Sequence, residues 1–102
     1  MPEECVLVKI WNVRPGETMI AVCDSELLGK KICEGKRILD ASKDFYGGEA
    51  VSPEAAVDVL KGATVANLVG KKAVKCGIEA GLVHDDAVIC IGGVPHAQFI
   101  SI

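Results

Sequence analysis

The sequence has few aromatic residues, no excess of basic residues and no long apolar run. Its aromatic residues are four: Trp11, Phe45, Tyr46 and Phe99. A surface that binds nucleic acid by base stacking needs several exposed rings. The formal net charge is −3, so no overall positive field attracts nucleic acid. Every apolar run is far shorter than the ~20 residues that cross a bilayer, so we expect no membrane partner.

The sequence also lacks paired cysteines and metal-binding spacings. Its five cysteines form no C-x-x-C pair, and a secreted disulfide framework normally has an even count. The first residues do not have the pattern of a signal peptide. We therefore expect a cytoplasmic protein in which most thiols are buried and unreactive. No spacing typical of a metal site occurs, and we predict neither metal nor cofactor.

Half of the residues are hydrophobic, and the 102 residues match the size of one domain, predicted over 1–102. The N-terminal half predicts a hairpin of strands 5–13 and 18–23, a short helix over 26–31 capped by Asp24 or Ser25, a strand over 37–40 and a loop over 43–49.

The C-terminal half predicts alternating elements. A helix begins at Ser52 and Pro53 and stops at Gly62, and a second helix over 70–80 ends at Gly81. Strands are predicted over 64–69 and 87–91, and a tail over 94–102. The fold class is α/β or α+β: a single small domain with an N-terminal β-hairpin, then alternating short strands and two to three helices packed on one sheet.

Two Leu-x-Gly-Lys-Lys segments, at 27–31 and 68–72, are the first candidate site. In the second segment a strand leads through Gly70 into a helix start, where free backbone amides and lysines favour an anion such as phosphate. The full P-loop pattern is absent. The alternative is a glycine that eases a strand-to-helix turn, followed by solvated lysines. The candidate phosphate contacts are Lys30, Lys31, Gly70, Lys71 and Lys72.

The segment 92–98 is the second candidate. Gly92 and Gly93 allow the backbone to approach a ligand closely, and His96 and Gln98 offer hydrogen bonds. The alternative is a turn followed by a tail that packs on the sheet. Asn67, in the strand before Gly70, is a further candidate for a selective contact.

Four segments resemble the recurring segments of the archaeal domain-of-unknown-function 424 family. They are CDSELLGK at 23–30, FYGG at 45–48, ANLVG at 66–70 and GGVPHAQ at 92–98. They occur in the family's order, and the resemblance covers about residues 6–98. It implies an archaeal, cytoplasmic, single-domain α/β protein. It implies no catalytic residue, and its loose association with translation genes favours RNA or ribosomal and translation proteins as partners.

Two functions remain open. The favoured hypothesis is a non-catalytic RNA- or ribonucleoprotein-associated module linked to translation, which uses the four lysines for phosphate. The alternative is a small enzyme acting on a phosphorylated or acidic metabolite, with a pocket lined by Asn67, Gly70 and His96. A protein-interaction or oligomerising module has less support, because aromatic anchors are few.

Overall fold

The computed structural model describes residues 5–101. Residues 1–4 and Ile102, the end of the predicted tail, lie outside the described residues. The larger sheet consists of β1 (Val6–Arg14), β2 (Glu17–Asp24), β5 (Glu49–Val51), β6 (Val65–Val69), β7 (Ile89–Ile91) and β8 (Val94–Ile100). A separate hairpin consists of β3 (Lys31–Glu34) and β4 (Arg37–Asp40), and the helices are α1 (Lys43–Tyr46), α2 (Pro53–Leu60) and α3 (Lys71–Glu79).

The strand order of the six-stranded sheet is β5-β1-β2-β6-β8-β7. The predicted N-terminal hairpin is confirmed as the antiparallel pair β1–β2. β2 and β6 are parallel, whereas β6–β8, β7–β8 and β1–β5 are antiparallel. Because one pair is parallel and the others are antiparallel, the fold is α+β, one of the two predicted classes.

The two predicted C-terminal helices are confirmed, and both pack on one face of the sheet. Ser52 caps α2, since its hydroxyl accepts a hydrogen bond from the Ala55 amide at 3.2 Å, and Pro53 takes the first helical position. The core on this face consists of aliphatic side chains of alternate strand positions, among them Val8, Val22 and Leu68.

The β3–β4 hairpin and α1 cover part of the opposite face. Leu39 and Tyr46 from these segments form a second core with Cys23 and Val69 of the sheet. The other part of this face has no helix packed on it and carries half-exposed and exposed side chains.

Three predicted elements were wrong. The helix over 26–31 is a single 3₁₀ turn, Ser25–Leu27, because Gly29 adopts φ +84° and donates its amide to Ala41 O at 2.6 Å, at the base of the β3–β4 hairpin. The loop over 43–49 contains α1, capped by the Ser42 hydroxyl, and the start of β5.

The predicted tail is the third error, because residues 94–100 form β8. Its register on β6 pairs Val65 with Ile100 and Val69 with His96. Gly92 and Gly93 form the two-residue turn from β7, and both have positive φ, as the tight hairpin turn requires.

The expected burial of most cysteines was also wrong. Cys23 and Cys76 are buried, Cys5 is half-buried, and Cys33 and Cys90 are exposed. Within residues 5–101, none of the helices is sufficiently long and apolar to cross a membrane.

Candidate functional site

An open cleft of about 420 Å³ lies where β2 and β6 end. The two Leu-x-Gly-Lys-Lys segments meet there, since the cleft is lined by Leu27 from the first and by Gly70, Lys71 and Lys72 from the second. The turn after β7 contributes Gly93, and the Gly70 amide donates to Pro95 O at 2.8 Å. The structure therefore brings both predicted glycine loops to one place.

Asp24 occupies the start of α3. Its carboxylate accepts hydrogen bonds from the backbone amides of Ala73 at 2.8 Å and Lys72 at 3.2 Å. Sequence reasoning expected these amides to be free for an external anion and assigned Asp24 to the local helix. The signal that could have found this contact is that Gly70, which precedes α3, has no side chain to cap it.

Asp24 is buried, with only 3% of its surface exposed. Burial raises the pKa of the Asp24 carboxyl, and the hydrogen bonds from Ala73 and Lys72 oppose that rise. Gly70 has φ +106°, and a β-carbon there would overlap the Asp24 carboxylate. A glycine is therefore required for the carboxylate to reach the helix.

The lysines around the cleft differ in their surroundings. Lys72 Nζ lies 3.3 Å from Glu26 Oε1. A hydrogen bond from its own backbone amide lowers the pKa of Glu26, burial opposes this, and the positive charges of Lys72 and Lys30 lower the pKa further. Lys71 and Lys31 are exposed.

Gly92 does not line the cleft with Gly93 and contacts the β3–β4 hairpin instead. Its amide donates to Glu34 Oε1 at 2.6 Å, and a β-carbon on Gly92 would overlap the Ile32 side chain. Gly92 thus allows the tip of the β3–β4 hairpin to pack closely against the β7–β8 turn.

Asn67, His96 and Gln98 lie on the sheet face opposite to α2 and α3. Gln98 Nε2 donates to Asn67 Oδ1 at 2.8 Å. His96 Nδ1 lies 3.0 Å from Leu68 O; since a carbonyl can only accept, Nδ1 carries the proton. His96 and Gln98 line a separate depression of about 300 Å³ beside Ile89.

The pocket required by the enzyme hypothesis is therefore not formed by the predicted residues. Gly70 lines the cleft, and His96 lines the separate depression. Burial raises the pKa of the Cys23 thiol to about 12 and that of Cys76 to about 11, so neither is an activated nucleophile. Among residues 5–101, no three His, Cys, Asp or Glu side chains are grouped to hold a metal ion.

A mixed sheet with two helices on one face, a hairpin on the other and a glycine-lined cleft at one end defines the class: a small α+β protein. The chain belongs to the family described as "Protein of unknown function (DUF424)", which matches residues 13–102 and confirms the predicted resemblance. The chain is also similar to a crystal structure described as an uncharacterized conserved protein from Methanopyrus kandleri. The identity is 28%, the TM-score is 0.82, and 96% of this chain and 94% of that chain are covered. No curated protein matches the chain significantly.

Proposed function

We propose that the chain is a non-catalytic module that binds RNA, alone or within a ribonucleoprotein of translation, through phosphate contacts at the cleft. The observation that carries the proposal is the exposed Lys71 at the cleft, with two further exposed lysines in the segment after the 3₁₀ turn. Lys71 lines the cleft, and Lys30 and Lys31 follow the 3₁₀ turn whose Glu26 and Leu27 line it. Within residues 5–101, these three lysines take part in no ion pair.

The charge balance at the cleft supports this assignment. The carboxylate of Asp24 offsets the positive end of α3, and Glu26 is paired with Lys72. The exposed charge of Lys71 remains at the cleft. Lys30 is also exposed, whereas Lys31 lies opposite Asp40 in the β3–β4 pair. Exposed lysines of this kind bind phosphate as mobile point charges, which suits a flexible RNA backbone.

The cleft does not favour the enzyme hypothesis. It is wide open, and the side chain nearest the helix start, Asp24, already has its hydrogen-bond partners in the chain. The other carboxylate that lines the cleft, Glu26, is paired with Lys72. A small phosphorylated metabolite bound at Lys71 is an outcome that the experiment below separates from RNA.

The test is binding of a fluorescently labelled 12-nucleotide single-stranded RNA at low salt. Lys30→Glu with Lys71→Glu is expected to weaken binding at least tenfold, because two attractive phosphate contacts become repulsive. Lys61→Glu is the control. Lys61 is an exposed lysine just after α2, 3.9 Å from Asp58, and it precedes the start of β6, whereas the cleft lies at the end of β6. Absence of RNA binding, or equal loss in the control, contradicts the proposal. Direct binding of inorganic phosphate at millimolar concentration by a chain that does not bind RNA would indicate a small-molecule site and contradict the proposal.

A further inference from the structure

The uncovered part of the sheet face carries a pair of side-chain amides on neighbouring strands. Asn67 of β6 and Gln98 of β8 are directly opposite each other in the antiparallel register, and their side chains share one hydrogen bond of 2.8 Å. Asn67 is half-buried and Gln98 is exposed. We call these two residues the amide pair.

The amide pair has hydrogen-bonding capacity left over. Its mutual bond uses one donor and one acceptor, so the Asn67 Nδ2 group and the Gln98 Oε1 atom have no hydrogen-bond partner among the described residues. Exchanging the oxygen and nitrogen of both side chains reverses the roles but again leaves one NH₂ group and one carbonyl oxygen. In either arrangement, the amide pair keeps one donor group and one acceptor atom for a further partner.

A row of aliphatic side chains borders the amide pair on the same face. Met19, Val65 and Ile100 are cross-strand neighbours on β2, β6 and β8. Val65 and Ile100 each lie two residues from a member of the amide pair, and Met19 lies two residues from Ala21, which pairs with Asn67. Side chains two residues apart on a strand share a face of the sheet. Met19 and Val65 are half-buried, and Ile100 is 66% exposed. A flat ring laid on this row can bring its polar edge to the amides.

Trp11, the aromatic residue next in the row, does not offer a free stacking surface. Its ring is stacked on Phe45 at 5.9 Å between centroids, and Lys9 Nζ lies 5.1 Å from its centroid. The Trp11 Nε1 group donates to Phe45 O at 3.2 Å. Trp11 thus anchors α1 to the sheet, and Lys9 adds a positive charge at the edge of the open face.

We propose that the amide pair reads the edge of one unpaired base of a bound RNA while the base lies on the aliphatic row. This inference rests on the proposed RNA-binding function and extends it from phosphate contacts to base choice. Single-stranded RNA presents such base edges, and a side-chain donor and acceptor together discriminate among bases. Gly70 directly follows β6 and is three residues after Asn67, about 10 Å at the usual rise per residue. Val69, between them, is buried in the second core. One RNA can therefore contact both the amide pair and the cleft only by passing around the second core.

The experiment measures affinity for four labelled 12-nucleotide homopolymers of A, C, G and U at one low salt concentration. The native chain is expected to prefer one base at least fivefold, the low end of what one such hydrogen-bonded contact supplies. Asn67→Ala and Gln98→Ala are each expected to abolish the preference while retaining lysine-dependent binding. Asn12→Ala is the matched control, because Asn12 is an exposed asparagine on β1 whose side chain lies on the other face. It should leave the preference unchanged.

The outcomes separate the two proposals. Equal affinity for all four homopolymers, or a preference that survives both alanine variants, overturns the role of the amide pair and leaves the phosphate contacts standing. Absence of RNA binding in the native chain overturns both. An association with a protein that resists nuclease and is lost in Asn67→Ala would assign the same face to a protein partner instead, and would also overturn the inference.

Discussion

The carboxylate of Asp24, at the end of β2, accepts a hydrogen bond of 2.8 Å from the backbone amide of Ala73, in the first turn of α3. The two residues are 49 positions apart in the chain. The contact joins the parallel strand pair β2–β6 to the helix that follows β6, and it supplies from within the chain the negative charge that a helix start favours. Consequently, an external phosphate has to be bound by the lysines around the cleft rather than by the α3 amides.

Replacing Asp24 by alanine should destabilise the fold. The substitution leaves the amides of Lys72 and Ala73 without their acceptor in a largely buried position. We expect the free energy of unfolding to fall by about 2–4 kcal/mol, as for a lost helix cap together with an unsatisfied buried group. Urea denaturation measures the change. Glu54→Ala, an exposed acidic residue in the first turn of α2, is the control, expected within about 0.5 kcal/mol of the native chain. Equal effects of the two substitutions would contradict the role of Asp24.

Gly70 and Gly81 test whether the close approach of Asp24 matters beyond backbone conformation. Both have positive φ, but a β-carbon on Gly70 would overlap the Asp24 carboxylate, whereas one on Gly81 meets nothing within 4 Å. Gly81→Ala should cost about 1 kcal/mol, the price of the left-handed conformation. Gly70→Ala should cost at least about 2 kcal/mol more, because the cap has to move. Thermal and urea unfolding compare them, and similar losses would show that the cap tolerates the added carbon.

The reactivity of the cysteine thiols should follow their exposure to solvent. Cys33 and Cys90 are exposed, while Cys23 and Cys76 are buried and have raised thiol pKa values. Brief treatment of the folded chain with a maleimide, followed by peptide mass spectrometry, should label Cys33 and Cys90 and spare the other two. Labelling of Cys23 at the same rate as Cys33 would mean that the second core opens readily.

Much of the fold could be predicted from local patterns. The N-terminal hairpin followed from two β-branched runs around Pro15 and Gly16, and α2 followed from Ser52 and Pro53. The helix expected over 26–31 failed because the pairing of Gly29 with Ala41 is a contact between segments, which no local pattern shows. The tail at 94–100 became a strand for the same reason: its partners β6 and β7 are set by the tertiary fold.

The candidate site was predictable in its parts and not in its arrangement. The glycine loops at Gly70 and Gly93 do share one cleft, and Asn67 and Gln98 are in contact. Sequence could not show that the Asp24 carboxylate fills the start of α3, since that depends on the parallel pairing of β2 with β6. Nor could it show that His96 turns to the Leu68 carbonyl instead of the cleft.

The salt dependence of RNA binding tests the central claim most directly. The affinity of the native chain for a 12-nucleotide single-stranded RNA is measured from low to physiological salt. It is then measured for Lys30→Ala with Lys71→Ala and for the control Lys61→Ala. Each lost phosphate contact on a single strand lowers the slope of log affinity against log salt by about 0.7, so the double variant should lose about 1.4 and the control nothing. Native binding with an unchanged slope in the double variant, or no binding at low salt, would contradict the assignment of the cleft to RNA phosphate.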